Sequence, residues 1–145
     1  MIKSYYWLKV CVKKGTGHMA KILIVDDDPN ILITTRCLLE ADGHECVTAE
    51  DGLEALARVK ENGFDLIITD MRLSNMDGLT LVRKLKEVEP SIPVILITAY
   101  ASSETAVESV RRGVFDYLVK PFQEKELLAA VKRATWHGHG ADMGG

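Results

Sequence analysis

The chain has 145 residues, of which 47% are hydrophobic and 27% are charged, and its net charge is −3. These values are typical of one globular domain with a single core. The small net charge and the even spread of Lys and Arg along the chain argue against direct binding of nucleic acid or of a membrane surface.

The cysteines argue for a reducing compartment. Cys11, Cys37 and Cys46 are odd in number and do not have the spacing of metal ligands. We interpret them as free thiols, which predicts a cytoplasmic protein. The apolar runs are much shorter than the roughly 20 residues of a membrane span, and the N-terminus does not resemble a secretion signal.

The two ends of the chain differ from its middle. Residues 1–18 show no clear period, and the stretch Gly15-Thr16-Gly17-His18 before Met19 is typical of a cloning scar. We expect residues 1–18 to be a tag-derived or disordered leader, with a native N-terminal extension as the alternative. Residues 19–136 are predicted to form the domain, and residues 137–145, which are rich in glycine, to form a flexible tail.

From Lys21 onward, strand-like and helix-like segments alternate. The first apolar run, Ile22 to Val25, ends at three consecutive aspartates and is followed by a helical pattern. Asp28 suits the N-cap of this helix, Pro29 its first position and Gly43 its C-terminal end.

Four more strand–helix pairs follow. The predicted strands are Glu45–Ala49, Phe64–Thr69, Val94–Thr98 and Asp116–Val119. The predicted helices are about Asp51–Asn62, a segment containing Leu79 to Leu85, about Ser102–Arg112 and about Gln123–Thr135. Regular alternation, with middle strands that are continuously apolar, indicates an α/β fold with a doubly wound parallel sheet covered on both faces.

Polar residues stand where these strands end. Asp26 and Asp27 follow the first strand, Asp70 the third and Lys120 the fifth, while Thr98 ends the fourth. A single such residue is usually a turn former, but ligands of open α/β sheets bind at the carboxyl ends of the strands, so the joint placement indicates a site.

The residue types at these strand ends indicate the chemistry. Clustered carboxylates need a cation between them, and hard oxygen ligands without His or Cys favour Mg²⁺ over Zn²⁺. An oxygen nucleophile, a metal, an ammonium and a hydroxyl are the groups that phosphoryl transfer uses.

Four segments together resemble the receiver domain of response regulators, over about Ala20 to Trp136. They are Ile24-Val25-Asp26-Asp27-Asp28, Ile67-Ile68-Thr69-Asp70-Met71, Ile97-Thr98-Ala99 and Tyr117-Leu118-Val119-Lys120-Pro121-Phe122. The resemblance implies a flavodoxin-like (βα)5 fold with strand order 2-1-3-4-5. It also implies a phosphoacceptor signalling domain that promotes its own phosphorylation and dephosphorylation and does not act on a separate substrate.

The resemblance further implies the roles of individual residues. Asp70 would be the phosphoacceptor, Thr98 and Lys120 would contact the phosphoryl oxygens, and the Lys120–Pro121 bond would be cis. A Mg²⁺ ion, with Mn²⁺ as the alternative, would be held by three carboxylates and one backbone carbonyl, those of Asp26, Asp27, Asp70 and Arg72.

The switch and the partners are implied in the same way. Phosphorylation would draw Thr98 inward, and Tyr117 would turn into the space that Thr98 leaves. The face formed by the fourth helix, the fifth strand and the fifth helix, about Ser102 to Thr135, would then signal to an effector domain or a second copy. A sensor histidine kinase or phosphotransfer protein would dock near the first helix, at Asn30, Ile31 and Thr34, and near Pro121-Phe122.

Three alternatives remain at this stage. In a phosphatase similar to haloacid dehalogenases, Asp26 would be the nucleophile and Asp28 the acid, although Asp27 and Pro29 fit that motif poorly. A pseudo-receiver would keep the fold alone, although each acidic position is filled here. The pattern Gly15-x-Gly17-x-x-Ala20 loosely fits a dinucleotide fingerprint, but it precedes the first strand and does not follow it.

Overall fold

The computed structural model describes residues 19–99 and 102–140, with side chains up to residue 136. The predicted leader, residues 1–18, and the last five residues of the predicted tail lie outside the described residues. No helix of the described part is long and apolar enough to cross a bilayer.

Five strands alternate with five helices in the described residues. The strands are β1 (Lys21–Val25), β2 (Glu45–Ala49), β3 (Leu66–Asp70), β4 (Val94–Thr98) and β5 (Asp116–Val119). The helices are α1 (Pro29–Ala41), α2 (Gly52–Glu61), α3 (Gly78–Val88), α4 (Ser103–Arg111) and α5 (Glu124–Gly140). All pairings are parallel and the order is β2-β1-β3-β4-β5, which confirms the predicted flavodoxin-like fold.

Side-chain caps define where the first four helices begin. In each case the residue before the helix accepts a hydrogen bond from a first-turn N–H group, and these residues are Asp28, Asp51, Asp77 and Ser102. The cap satisfies a donor that has no partner within the helix. At the other end, Gly43 and Gly113 follow α1 and α4 with φ of 97° and 83°, a left-handed conformation that favours glycine.

The core lies on both faces of the sheet. One cluster joins alternate strand residues such as Ile24, Ile68 and Ile97 to α1 and α5. The other joins the intervening residues, such as Leu23 and Ile67, to α2 and α3. All five residues of β4 are buried, as expected for a strand covered on both sides. This packing fixes the carboxyl ends of the strands, where the candidate site lies.

Two elements, β3 and α5, differ most from the prediction in their bounds. β3 runs to Asp70 and starts at Leu66, two residues after Phe64, which is buried in the core but outside the strand. α5 continues to Gly140, so the backbone of residues 137–140, expected in the tail, is helical. Glycine weakens a helix by about 1 kcal/mol relative to alanine but, unlike proline, keeps its N–H donor.

Gly78 provides a test of the packing around the end of β3. A Cβ at this position would lie 2.6 Å from the Asp70 carbonyl oxygen and 2.9 Å from Met71 Cα, and both atoms belong to the backbone. We expect Gly78→Ala to lower the free energy of unfolding, measured with urea, by about 1–3 kcal/mol because the backbone must shift. The control is Gly63→Ala, whose Cβ would meet no neighbouring heavy atom within 4 Å. Equal losses in the two variants would contradict the prediction.

Candidate functional site

The strand ends bring the predicted site residues to one edge of the sheet. Asp26 directly follows β1, Asp70 ends β3 and Thr98 ends β4. Val25 pairs with Thr69, Asp70 with Ile97 and Thr98 with Val119, so these carboxyl ends are level with one another. Lys120 is the first residue after β5, and its N–H donates to the Thr98 carbonyl at 2.8 Å.

An ion pair joins the carboxyl end of β3 to the residue that follows β5. Lys120 Nζ lies 2.9 Å from Asp70 Oδ1, and both side chains are mostly buried. The other oxygen, Asp70 Oδ2, accepts a hydrogen bond from the Arg72 N–H at 3.2 Å. Burial alone would lower the pKa of Lys120, but the hydrogen bond to Asp70 and the nearby carboxylate charges outweigh it, and the pKa is raised.

Asp26 is the most buried carboxylate of the site, with 6% of its surface exposed. Burial, together with the charges of Asp70 and Asp27, raises its pKa from an ordinary 3.8 to about 6. The hydrogen bond from the Asp28 N–H and the Lys120 charge act in the opposite direction without restoring the ordinary value. The raised pKa of Asp26 therefore reflects mainly its burial, to which the neighbouring carboxylates add.

Asp27 and Asp28 follow Asp26 in the chain, but their surroundings differ from those of Asp26. Asp27 is exposed, and its Oδ2 lies 3.4 Å from Ser74 Oγ in the loop after β3. Asp28 accepts a hydrogen bond from the Asn30 N–H at 2.9 Å and caps α1, as predicted. Ser74 was not identified from the sequence, because an exposed loop serine carries no pattern that relates it to Asp27.

The loop after β3 is folded tightly beside Asp70. Arg72 and Asp77 form an isolated antiparallel bridge across it, and Gly78 lies against the Asp70 carbonyl. The backbone of Arg72 is therefore held next to Asp70, although the residue as a whole is exposed to solvent. In the loop after β5, the Lys120–Pro121 peptide bond is cis.

The two predicted switch residues lie on neighbouring strands and on the same side of the sheet. Thr98 is buried, with 1% exposure, at the end of β4. Tyr117 pairs with Leu96, two residues earlier, and its hydroxyl lies 2.7 Å from Thr105 Oγ1 of α4. Thr105 is a second residue that the sequence reasoning missed, although Ser102-x-x-Thr105 resembles the spacing of a capping box.

A groove of about 380 Å³ opens beside the site, between α1 and α5. Its floor and rim combine Asp26 and Lys120 with apolar side chains. The apolar residues are Ile31, Leu38, Ile97, Pro121, Phe122 and Leu127. The groove therefore includes Ile31, Thr34, Pro121 and Phe122, all predicted to lie at the docking surface for a phosphoryl donor.

Comparison with known proteins places this site in a family. The model of the response regulator receiver domain matches residues 22–132. The transcriptional regulatory protein ZraR of Escherichia coli K12 is 40% identical over 121 residues, which cover 83% of this chain and 27% of ZraR. The DNA-binding transcriptional regulator NtrC of Salmonella typhimurium is 39% identical over 116 residues, which cover 80% of this chain and 25% of NtrC. The chain thus spans about a quarter of the length of these curated relatives.

Solved structures agree with the sequence relatives. A CheY-like response regulator receiver domain protein from Methanospirillum hungatei JF-1 superimposes with a TM-score of 0.81 at 34% identity. The match covers 86% of this chain and 99% of that protein. The fold, the family model and the relatives lead to one conclusion: the chain belongs to the family of response regulator receiver domains.

Proposed function

We propose that Asp70 is the phosphoacceptor of this receiver domain. The observation that carries the proposal is the ion pair of 2.9 Å between Lys120 Nζ and Asp70 Oδ1, at an edge where Asp26 and Asp27 add two further carboxylates. Asp70 is the carboxylate that the ammonium and a backbone N–H both hold in place. A fixed orientation is what in-line attack on phosphorus requires.

The proposed reaction transfers a phosphoryl group from a phosphohistidine. An oxygen of Asp70 attacks the phosphorus, the bond from phosphorus to the imidazole nitrogen breaks, and the imidazole leaves. The product on Asp70 is an acyl phosphate, and attack by water on its phosphorus would later restore the carboxylate. Lys120 neutralises charge on the transferred group, and the Thr98 hydroxyl donates a hydrogen bond to it.

The residues at the edge fit a divalent cation with oxygen ligands. Asp26, Asp27, Asp70 and the Arg72 carbonyl would hold Mg²⁺, or Mn²⁺, and the bound ion would neutralise charge on the reacting oxygens. The three carboxylates near a single ammonium support this assignment, because a bound cation would offset their mutual repulsion. Among the described residues, no group of three His, Cys, Asp or Glu side chains is arranged to bind one metal ion. At least one of the three carboxylates would therefore act through a water molecule, as is common for Mg²⁺, which keeps several waters.

The phosphoryl donor would dock in the groove between α1 and α5. We propose a sensor histidine kinase or a phosphotransfer protein as the donor, because the apolar groove opens onto Asp26 and Lys120. The face of α4, β5 and α5 would signal to an effector domain or a second copy. The cytoplasmic location remains a prediction that rests on the cysteine pattern.

The alternative with Asp26 as nucleophile is less well supported. That mechanism needs Asp28 as the acid, but Asp28 Oδ1 accepts a hydrogen bond from the Asn30 N–H and caps α1. The two aspartates thus have different tasks in this fold, since Asp26 lies buried at the sheet edge and Asp28 lies exposed at a helix start.

The first prediction concerns the acceptor. We expect acetyl phosphate with Mg²⁺ to add one phosphoryl group to the wild-type chain and none to Asp70→Asn, measured by intact mass. The control is Asp51→Asn, since asparagine also caps a helix and Asp51 caps α2. A label on Asp26, with Asp70 unmodified, would refute the assignment.

The second prediction concerns the metal. A ligand that binds only the native state raises the melting temperature, so we expect Mg²⁺ to raise that of the wild-type chain. Asp27→Asn should lose most of this increase because it removes a ligand, whereas Asp51→Asn should keep it. A full Mg²⁺ effect in Asp27→Asn would exclude Asp27 as a ligand.

The third prediction concerns pH. Because the pKa of Asp26 is raised to about 6, its ionised form lowers stability above pH 6, by up to about 3 kcal/mol. This loss disappears as the pH falls through 6 towards 4. We expect Asp26→Asn, which keeps an acceptor for the Asp28 N–H, to raise the free energy of unfolding in EDTA by about 1–3 kcal/mol at pH 8 and to bring no gain at pH 4. A gain that is the same at both pH values would show that the charge is not its cause.

A further inference from the structure

The first turn of α4 is attached to the sheet by a hydrogen bond that involves a proposed switch residue. Thr105 Oγ1 lies 2.7 Å from the Tyr117 hydroxyl, and the two residues belong to different elements. The distance is the usual one for an O–H···O hydrogen bond. It is the shortest of the contacts that Thr105 Oγ1 makes with its neighbours.

Thr105 also contacts Ser102 at the start of α4. Thr105 Oγ1 accepts from the Ser102 N–H at 3.1 Å and donates to the Ser102 carbonyl at 3.0 Å. Thr105 Oγ1 also lies 3.0 Å from Ser102 Oγ, and either hydroxyl can be the donor there, as either can in the contact with Tyr117. The same threonine therefore caps α4 and holds the tyrosine.

Little else fixes α4. Of its nine residues, all described, only Ser109 is buried, whereas α3 buries three apolar side chains and a glycine. Val107 and Val110 of α4 are exposed. A helix with so little buried apolar surface has low local stability, so one hydrogen bond is a substantial part of its attachment.

We propose that Thr105 is a positioning residue that holds Tyr117 against α4 and thereby opposes its movement towards Thr98. Tyr117 and Thr98 point to the same side of the sheet, because Tyr117 pairs with Leu96, two residues before Thr98. Movement of the ring towards Thr98 breaks the hydrogen bond to Thr105. The inference rests on the proposed role of Tyr117 in the switch. It adds Thr105 as the residue whose hydrogen bond must break before Tyr117 can move.

The test compares three variants of the full chain. Thr105→Val removes the hydroxyl and keeps the shape, Thr105→Ser restores the hydroxyl, and Thr80→Val is a matched control at the third residue of α3. The readouts are the affinity for beryllofluoride with Mg²⁺, used as a mimic of the phosphoryl group, and amide hydrogen exchange of α4 without beryllofluoride.

Loss of the hydrogen bond should favour the switched state. We expect Thr105→Val to bind beryllofluoride more tightly by up to about tenfold, as the net contribution of one hydrogen bond allows. Amide exchange in α4 should become faster. Thr105→Ser and Thr80→Val should behave as the wild type in both measurements.

A fourth variant separates the contact with Tyr117 from the cap of α4. Tyr117→Phe removes the phenolic hydroxyl and leaves Ser102 and Thr105 in place, so it should also speed amide exchange in α4. If only Thr105→Val does so, the effect comes from the cap and the proposal is wrong. Unchanged affinity in Thr105→Val, with a wild type that binds beryllofluoride, would also overturn it. If the wild type itself does not bind, the proposed function fails, and hydrogen exchange still tests the contact.

Discussion

The ion pair between Lys120 and Asp70 spans the edge of the sheet where three carboxylates meet. Its ammonium follows β5 and its carboxylate ends β3, so the pair connects the site across β4. The pKa of Lys120 is raised, against the effect of burial, by its hydrogen bond to Asp70 and by the nearby carboxylates, whereas the pKa of Asp26 is raised mainly by burial. Under the proposed function, a phosphoryl group and a divalent cation would together change the charge at this edge of the sheet.

Local features of the fold were predictable because they depend on near neighbours in the chain. The start of α1 follows from Asp28 and Pro29, and the bounds of β4 follow from an apolar run that ends at Thr98. The end of α5 was placed too early because glycine lowers helix stability but does not end a helix by itself.

The sequence was enough to predict which residues lie at the edge of the sheet, but not which side chains contact one another there. Strand ends can be recognised in the sequence, and parallel order brings them together. The contact of Ser74 with Asp27 and that of Thr105 with Tyr117 depend on how loops and a helix lie over the sheet. Neither contact has a sequence period or motif that relates its two members, so only the three-dimensional structure reveals them.

The two sides of the site differ in how firmly they are held. On the side of β3, Gly78 packs against the backbone of Asp70, and α3 buries Leu81, Val82 and Leu85. On the side of β5, α4 buries one small polar residue, and Tyr117 is only partly buried. A rigid side suits the chemistry, which needs fixed distances, and a weakly attached side suits a conformational response.

The strand order determines when, during folding, the site can form. Asp26 follows the first strand and Lys120 the last, and β3 and β4 lie between their ends in the sheet. A chain that is still being synthesised, and has not yet reached β5, has Asp70 without its ammonium partner. The ion pair can form only once the last strand has joined the sheet. The arrangement therefore makes the pairing of Asp70 depend on completion of the whole sheet.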